Sequence, residues 1–344
     1  MNSERQDSQS ALEMKPLNCG SFDNAAPPIC PLCGSANALF EARILTDEIV
    51  ALYGKPWQQL ARSELQGTPW IHVYHCQNCS LCFFEPKVAA SPAYYASMQS
   101  NEGYYMEEKT EYEMAVKWIP PNAHVLEVGC GVGHFARKLP GCKYTGLEYS
   151  ESAAGKARSG GLDVHMQSVQ EHAATHRAAY DVVCAFQVLE HVPDPGPFIA
   201  ACLECLTPGG ILIYGVPSHD SYLQFFQNTC TNIPPHHLTR WPDKSLEAIA
   251  GIFQVTRLAI EHELVSDMHL RDCVNAIIRR RLNALFHRKS TMVDRSISGR
   301  VLGRCAAFLA GWMAPIFNDA VFRPRGHTVV AAYRKQLPAN AGSF

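Results

Sequence analysis

From His124 onward the chain repeats one unit: a short apolar run, a turn, then a helical stretch. Apolar runs at 124–128, 143–148, 162–166, 180–186, 210–215, 253–260 and 327–333 read as strands. Strands that alternate with helices imply a parallel sheet covered on both faces, so the fold class is α/β. The length of 344 residues allows one large domain or two unequal ones. A composition 47% hydrophobic and 18% charged is that of a globular protein, and a net charge of −2 argues against a dominant polyanion partner.

The first turn of this pattern carries the chemistry. "HVLEVGCGVGHF" places Gly129, Gly131 and Gly133 directly after a strand. Glycine permits positive φ and removes the Cβ, so a ligand can approach the backbone closely. A helix expected from about His134 would add free N–H groups. A nicotinamide fingerprint has the spacing G-x-G-x-x-G, whereas here it is G-x-G-x-G. Glu127 precedes the first glycine, and a carboxylate there repels a pyrophosphate but suits an ammonium group. The next strand ends at Glu148, 19 residues after Gly129, where a carboxylate can accept hydrogen bonds from ribose hydroxyls. An α-ammonium, a ribose and no phosphate describe S-adenosylmethionine.

Four blocks, "VLEVGCGVGHF", "YTGLEYSESA", "YDVVCAFQVLEHVPDP" and "LTPGGILIYGVPS", resemble the class I S-adenosylmethionine-dependent methyltransferases over about Tyr104 to Lys335. "PPHHLTRW" narrows the likeness to small-molecule enzymes similar to the ubiquinone-biosynthesis O-methyltransferases. The resemblance implies a Rossmann-like seven-stranded sheet, helices on both faces and an antiparallel last strand, "GHTVVAAYRK". It implies cofactor contacts at Glu127, Gly129, Gly131, Gly133, Glu148 and Tyr149, and near Gln187. Related quinone O-methyltransferases often carry a carboxylate where Gln187 stands, and the amide argues against a catalytic divalent metal.

Two loops are candidates for the acceptor side. Gln187, Glu190 and His191 stand at i, i+3 and i+4 past the fourth strand and would share a face if that turn is helical. "NIPPHHLTRW" supplies His236 and His237 after two prolines. A neutral imidazole can take a proton from a hydroxyl as methyl transfers, so His191, His237 and His236 are the candidate catalytic residues. The same positions also suit polar groups that merely brace the pocket wall. Much of such catalysis needs only alignment with water excluded.

Upstream, "CPLCG" and "CQNCS" give Cys30, Cys33, Cys76 and Cys79, two C-x-x-C pairs that can close a tetrahedral structural zinc site. Cys82 is an alternative ligand. "ALYGKPWQQLARSEL" is expected to make a helical excursion between the pairs, while Cys202 and Cys205 in "ACLECL" read as core. Fourteen cysteines without a visible signal peptide suggest a reducing, cytoplasmic setting.

The domains expected are a disordered arm at 1–27, a zinc-ribbon-like unit at 28–90 and a methyltransferase domain at 91–344. That domain opens with a tyrosine-rich helix at 91–119 and carries a helical insertion at about 262–326. The insertion holds a basic amphipathic helix at 271–289, a candidate for peripheral membrane contact or for ordinary packing. No apolar run is long enough to span a bilayer, and no nucleic acid is expected. The leading reading is methyl transfer from S-adenosylmethionine to a small-molecule or biosynthetic-intermediate acceptor, with oxygen as the expected acceptor atom. The alternative is a non-catalytic binding protein in which the ribbon and fold recruit a partner.

Overall fold

A computed structural model describes residues 26–99, 107–319 and 323–337. The chain opens with β1 (Ala38–Leu45), α1 (Thr46–Val50), α2 (Lys55–Glu64), β2 (Trp70–Cys76), β3 (Cys82–Glu85), α3 (Pro92–Gln99) and α4 (Thr110–Val116). The alternating part holds β4 (His124–Val128), β5 (Lys143–Leu147), α5 (Glu151–Ser159), β6 (Asp163–His165), α6 (Val169–Thr175), β7 (Tyr180–Phe186), α7 (Pro195–Cys205) and β8 (Leu206–Pro217). Then follow β9 (Thr239–Arg240), α8 (Asp243–Ile252), β10 (Val255–Leu264), α9 (Asp267–Leu285), α10 (Ile297–Met313) and β11 (Arg325–Lys335).

The main sheet has seven strands in the order β10-β11-β8-β7-β4-β5-β6. The strands β8, β7, β4, β5 and β6 are mutually parallel, and β11 runs antiparallel to both β8 and β10. Central strands buried on both faces read as continuous apolar runs, as "YDVVCAF" does. The order reverses between β7 and β4, so the loops after those two strands open a crevice at the carboxyl edge. Cys202 and Cys205 lie in the core on α7, as their apolar surroundings require.

Several bounds differ from the sequence reading. The expected helix at 91–119 is two helices, α3 and α4, and its middle at 100–106 lies outside the described residues, as does most of the 1–27 arm. Strand β8 begins at Leu206 rather than 210, and β10 continues to Leu264, because its pairing with β11 holds through a register shift. The helix expected after the glycine loop is a single 3-10 turn, Phe135–Lys138, since Pro140 and Gly141, with φ +82°, end it. With no long helix there, few free N–H groups face a ligand, and the glycine loop itself must form the cradle.

The cysteine unit is not a free-standing module. Its sheet, β1-β2-β3-β9, takes its last strand from the segment that follows the two histidines. Phe83 pairs with Thr239 and Cys82 with Arg240. Cys30, Leu32, Cys76 and Cys79 join the same core as Leu126 and Val183 of the main sheet.

Candidate active site and metal centre

At the end of β4 the chain turns through three left-handed glycines: Gly129 at φ +75°, Gly131 at +56° and Gly133 at +82°. A Cβ on Gly129 would lie 2.4 Å from Val188 Cγ2, and one on Gly133 2.1 Å from Leu162 Cδ1. Backbone conformation favours glycine at both positions, and at Gly129 the stiff Val188 side chain adds a packing demand. The middle glycine is tied to the next strand, where its N–H donates to Glu148 Oε2 at 2.8 Å. Glu148 Oε1 accepts from the Ser150 N–H at 2.7 Å. Two backbone donors thus hold the carboxylate rigid, and each oxygen keeps a further lone pair for ligand hydroxyls. Tyr149 beside it is exposed.

Glu127 is 2% exposed, and burial pushes its carboxyl up to about 8, while the Tyr144 hydroxyl, donating at 2.5 Å, opposes the rise. Tyr144 is a site residue that the sequence reading missed. It stands three residues before the strand end with no motif of its own. A buried carboxyl poised between charge states is an acceptor that the N–H donors of an ammonium group complete. The glycine cradle, Glu127 and the pre-held Glu148 therefore fit the aminoacid and ribose ends of S-adenosylmethionine.

Past β7, Gln187 adopts φ +55°, and its Nε2 donates to Glu111 Oε1 at 3.4 Å. The helical turn expected to align Gln187, Glu190 and His191 does not form in that way. A short 3-10 turn covers Leu189–His191, and Gln187 precedes it in a left-handed conformation. Gln187 consequently faces Glu111 on α4, while Glu190 and His191 enter a different pocket.

The cluster there unites segments far apart in sequence, and the cavity lined by Glu190, His237 and Arg240 beside it has room for about one water. His191 Nδ1 donates to the His236 carbonyl at 2.6 Å, with the Tyr95 hydroxyl 3.1 Å away. This bond fixes the tautomer, leaving Nε2 as the lone-pair nitrogen. The Glu190 carboxyl lies 3.7 Å from that nitrogen, buried, and neither oxygen has a hydrogen-bond partner among the described residues. Burial raises it to about 8. His191, His236 and His237 offer ring nitrogens within 4.8 Å of one another. Burial holds His191 down to about 4 and both neighbours well below the usual imidazole range, so all three are neutral near pH 7. Such a set of lone pairs suits a proton acceptor and is also a donor set for a transition ion.

The wall of the pocket is built by residues that motif reading passed over. Arg240 is buried and donates to the Asn232 carbonyl at 2.8 and 3.2 Å, with its guanidinium 5.3 Å from the Phe84 ring. Tyr94 and Tyr95 of α3 pack on His236. Tyrosine enrichment at 91–112 was the visible signal for these two, and "LTRW" was the signal for Arg240.

In the cysteine unit, the Cys30 and Cys79 sulfurs are 3.5 Å apart, as are those of Cys33 and Cys76, and all four lie within 4.8 Å of one another. Tetrahedral zinc with bonds of about 2.3 Å places its sulfurs about 3.8 Å apart. The four thiols fit that ion. Cys82 is not part of this group: it is buried beside Arg240.

Comparison with known proteins gives the family of the chain. A methyltransferase domain model matches residues 98–274. The ubiquinone biosynthesis O-methyltransferase of Aromatoleum aromaticum is 38% identical over 114 residues, 29% of this chain and 49% of that protein. Its counterpart from Sodalis glossinidius is 40% identical over 99 residues, 26% of this chain and 40% of that protein. The chain thus spans half or less of the length of these relatives. A methyltransferase structure from Archaeoglobus fulgidus aligns at 17% identity and a TM-score of 0.45, covering 70% of this chain and all (100%) of that one. The domain match spans more than half of the 344 residues, and the chain belongs to the methyltransferase domain family.

Proposed function

We propose that the protein transfers a methyl group from S-adenosylmethionine to a hydroxyl of a small biosynthetic intermediate. The observation that carries this is the pairing of a glycine cradle flanked by Glu127 and Glu148 with a cluster of three neutral histidines after the neighbouring strand β7. Bound S-adenosylmethionine supplies an electrophilic methyl on a sulfonium. Glu148 binds the ribose, Glu127 with Tyr144 receives the ammonium, and Gly131 keeps the loop in register.

The acceptor oxygen must lose a proton as it is methylated. His191 is the proposed proton acceptor: its Nδ1–H is held by the His236 carbonyl and its Nε2 is open. Glu190, 3.7 Å away and uncharged below about pH 8, faces the imidazolium that forms with a polar group rather than a counter-charge. His237 and His236 shape the pocket and exclude water. The sulfurs of Cys30, Cys33, Cys76 and Cys79 hold a structural zinc, and through β3 and β9 that unit braces the histidine loop.

Calorimetric titration with S-adenosylhomocysteine and, separately, with NADH tests the reading. Binding of the first with none of the second is expected. The reverse result, or S-adenosylhomocysteine binding without methyl transfer to any small hydroxylated acceptor, would favour the binding-protein alternative.

A further inference from the structure

The insertion between β10 and β11 presents an apolar face that nothing in the described chain covers. Helix α10 packs onto α9 with small residues, Gly299, Ala306 and Ala310. Its opposite face carries Ile297, Val301, Phe308 and Trp312, at spacings that fall within a narrow stripe of a 3.6-residue helix. Exposure is 74% for Ile297, 67% for Phe308 and 75% for Trp312. Ile316 continues the stripe in the turn that follows. A stripe of large apolar side chains pointing outward is the inverse of what a solvated surface helix shows.

Its charge is equally one-sided. Between Asp267 and Asn318 stand nine arginines and lysines against three aspartates, in a chain whose net charge is −2. Arg300 and Arg304 border the stripe along α10 and are exposed, and exposed Arg281, Lys289 and Arg295 lie nearby in sequence. No helix among the described residues is long and apolar enough to cross a membrane. We infer that the outer face of α10 docks in-plane on an anionic lipid bilayer, with Phe308 and Trp312 inserted at the headgroup boundary and the flanking arginines on lipid phosphates. Within the 271–289 segment, expected either to touch a membrane or to pack, α9 turns Cys273 and Val274, with Leu270 just before them, inward onto Tyr222, while Leu285 and Phe286 stand exposed at its end. The continuous outward stripe belongs to α10. Charge also separates this occupant from a second copy of the chain, because two such cationic borders repel each other while anionic lipid complements them.

Docking there would bring the histidine pocket near the bilayer. The turn between α9 and α10 is bonded to the loop leading to His236: Asn228 Nδ2 donates to the Asp294 carbonyl at 2.9 Å, and Gln227 Nε2 to the Thr291 carbonyl at 2.7 Å.

The test is sedimentation of the full chain with vesicles of phosphatidylcholine alone and of phosphatidylcholine mixed with phosphatidylglycerol. Binding to the mixed vesicles only is expected, weakened about fivefold by each of Arg300→Ala and Arg304→Ala. Phe308→Glu/Trp312→Glu should cut partitioning at least tenfold while circular dichroism stays unchanged. Should that variant misfold, quenching by bromine-labelled lipid serves: wild-type tryptophan emission is quenched, and the folded Trp312→Phe variant loses that component. Absence of binding to anionic vesicles, or binding that survives loss of both aromatic side chains, overturns the proposal. So does a concentration-dependent dimer that those substitutions dissolve, which would assign the face to a second copy.

Discussion

The two halves of the candidate active site are built in opposite ways. The cofactor half is local: Glu127, the three glycines and Glu148 fall within one strand–turn–strand passage, joined by the 2.8 Å bond from the Gly131 N–H to Glu148. The acceptor half is assembled from α3, the turn after β7, the loop before β9 and the ribbon strand β3 that pairs with it. A local site tolerates damage elsewhere in the chain. An assembled one depends on every element that delivers a wall. The cysteine unit reaches the acceptor half through β3 and β9, and the cofactor half only through the core it shares with Leu126 and Leu147.

The strongest way to break this comparison is to remove the proposed zinc ligands. Cys30→Ser/Cys33→Ser should abolish zinc binding, and structural sites of this kind contribute about 10 kcal/mol or more to folding of their units. The ribbon sheet should melt and release β9 and the histidine loop. Metal analysis should find one zinc per wild-type chain and none in the variant. Methyl transfer should vanish while S-adenosylhomocysteine still binds. Cofactor affinity lost in step with the zinc would show that the two halves are one cooperative unit.

Next in size is His191→Ala, expected to lower turnover by on the order of 10²-fold with cofactor affinity retained. The pH–rate profile distinguishes a proton acceptor from a wall residue. Loss of the acidic limb identifies the base. A profile of unchanged shape assigns catalysis to alignment alone.

On the cofactor side, Glu148→Ala should weaken S-adenosylhomocysteine binding by about 1–3 kcal/mol, through loss of charged hydrogen bonds and of the carboxylate that anchors the Gly131 N–H. Calorimetry measures it, and unchanged affinity would remove Glu148 from the site. Acceptor-side variants should leave this number untouched.

The same contrast explains what could be read from sequence. The sheet was legible because buried parallel strands must be apolar throughout, and "HVLEV" and "YDVVCAF" admit little else. The glycine loop was legible because left-handed φ and the close approach of Val188 leave glycine as the residue that fits at position 129. Glu190 beside His191 was visible as a pair, yet its environment was not, since the burial that raises it comes from distant segments. The face expected to be shared by Gln187, Glu190 and His191 does not form because one positive φ redirects Gln187, and a glutamine gives no sign of it. Arg240 and Tyr144 act through neighbours that only the folded chain supplies. The apolar face of α10 was missed because basic residues drew the reading to 271–289, whereas exposure depends on which helix lies inside.

The smallest effect is the most specific to the acceptor half. Burial raises Glu190 to about 8 in the folded chain, against an ordinary carboxylate value of 4.5. Between those values the native state binds a proton that the unfolded state has released, so Glu190 makes stability fall as pH rises through this window. His191 acts in the other direction: its folded value of about 4 lies below the usual 6.5, so its contribution to stability is lost as pH falls from 6.5 toward 4. Above pH 6.5 the imidazole is neutral in both states, and Glu190 acts without it. Glu190→Gln keeps the shape of the side chain and removes its titration. Relative to wild type, the variant should gain about 1–2 kcal/mol between pH 6.5 and 8, or about 1–3 °C in Tm, with little gain near pH 4. Thermal melts at pH 4, 6.5 and 8 measure it. A Tm difference that stays flat with pH would mean that Glu190 is already ionised in the fold, with a cation partner in the histidine pocket.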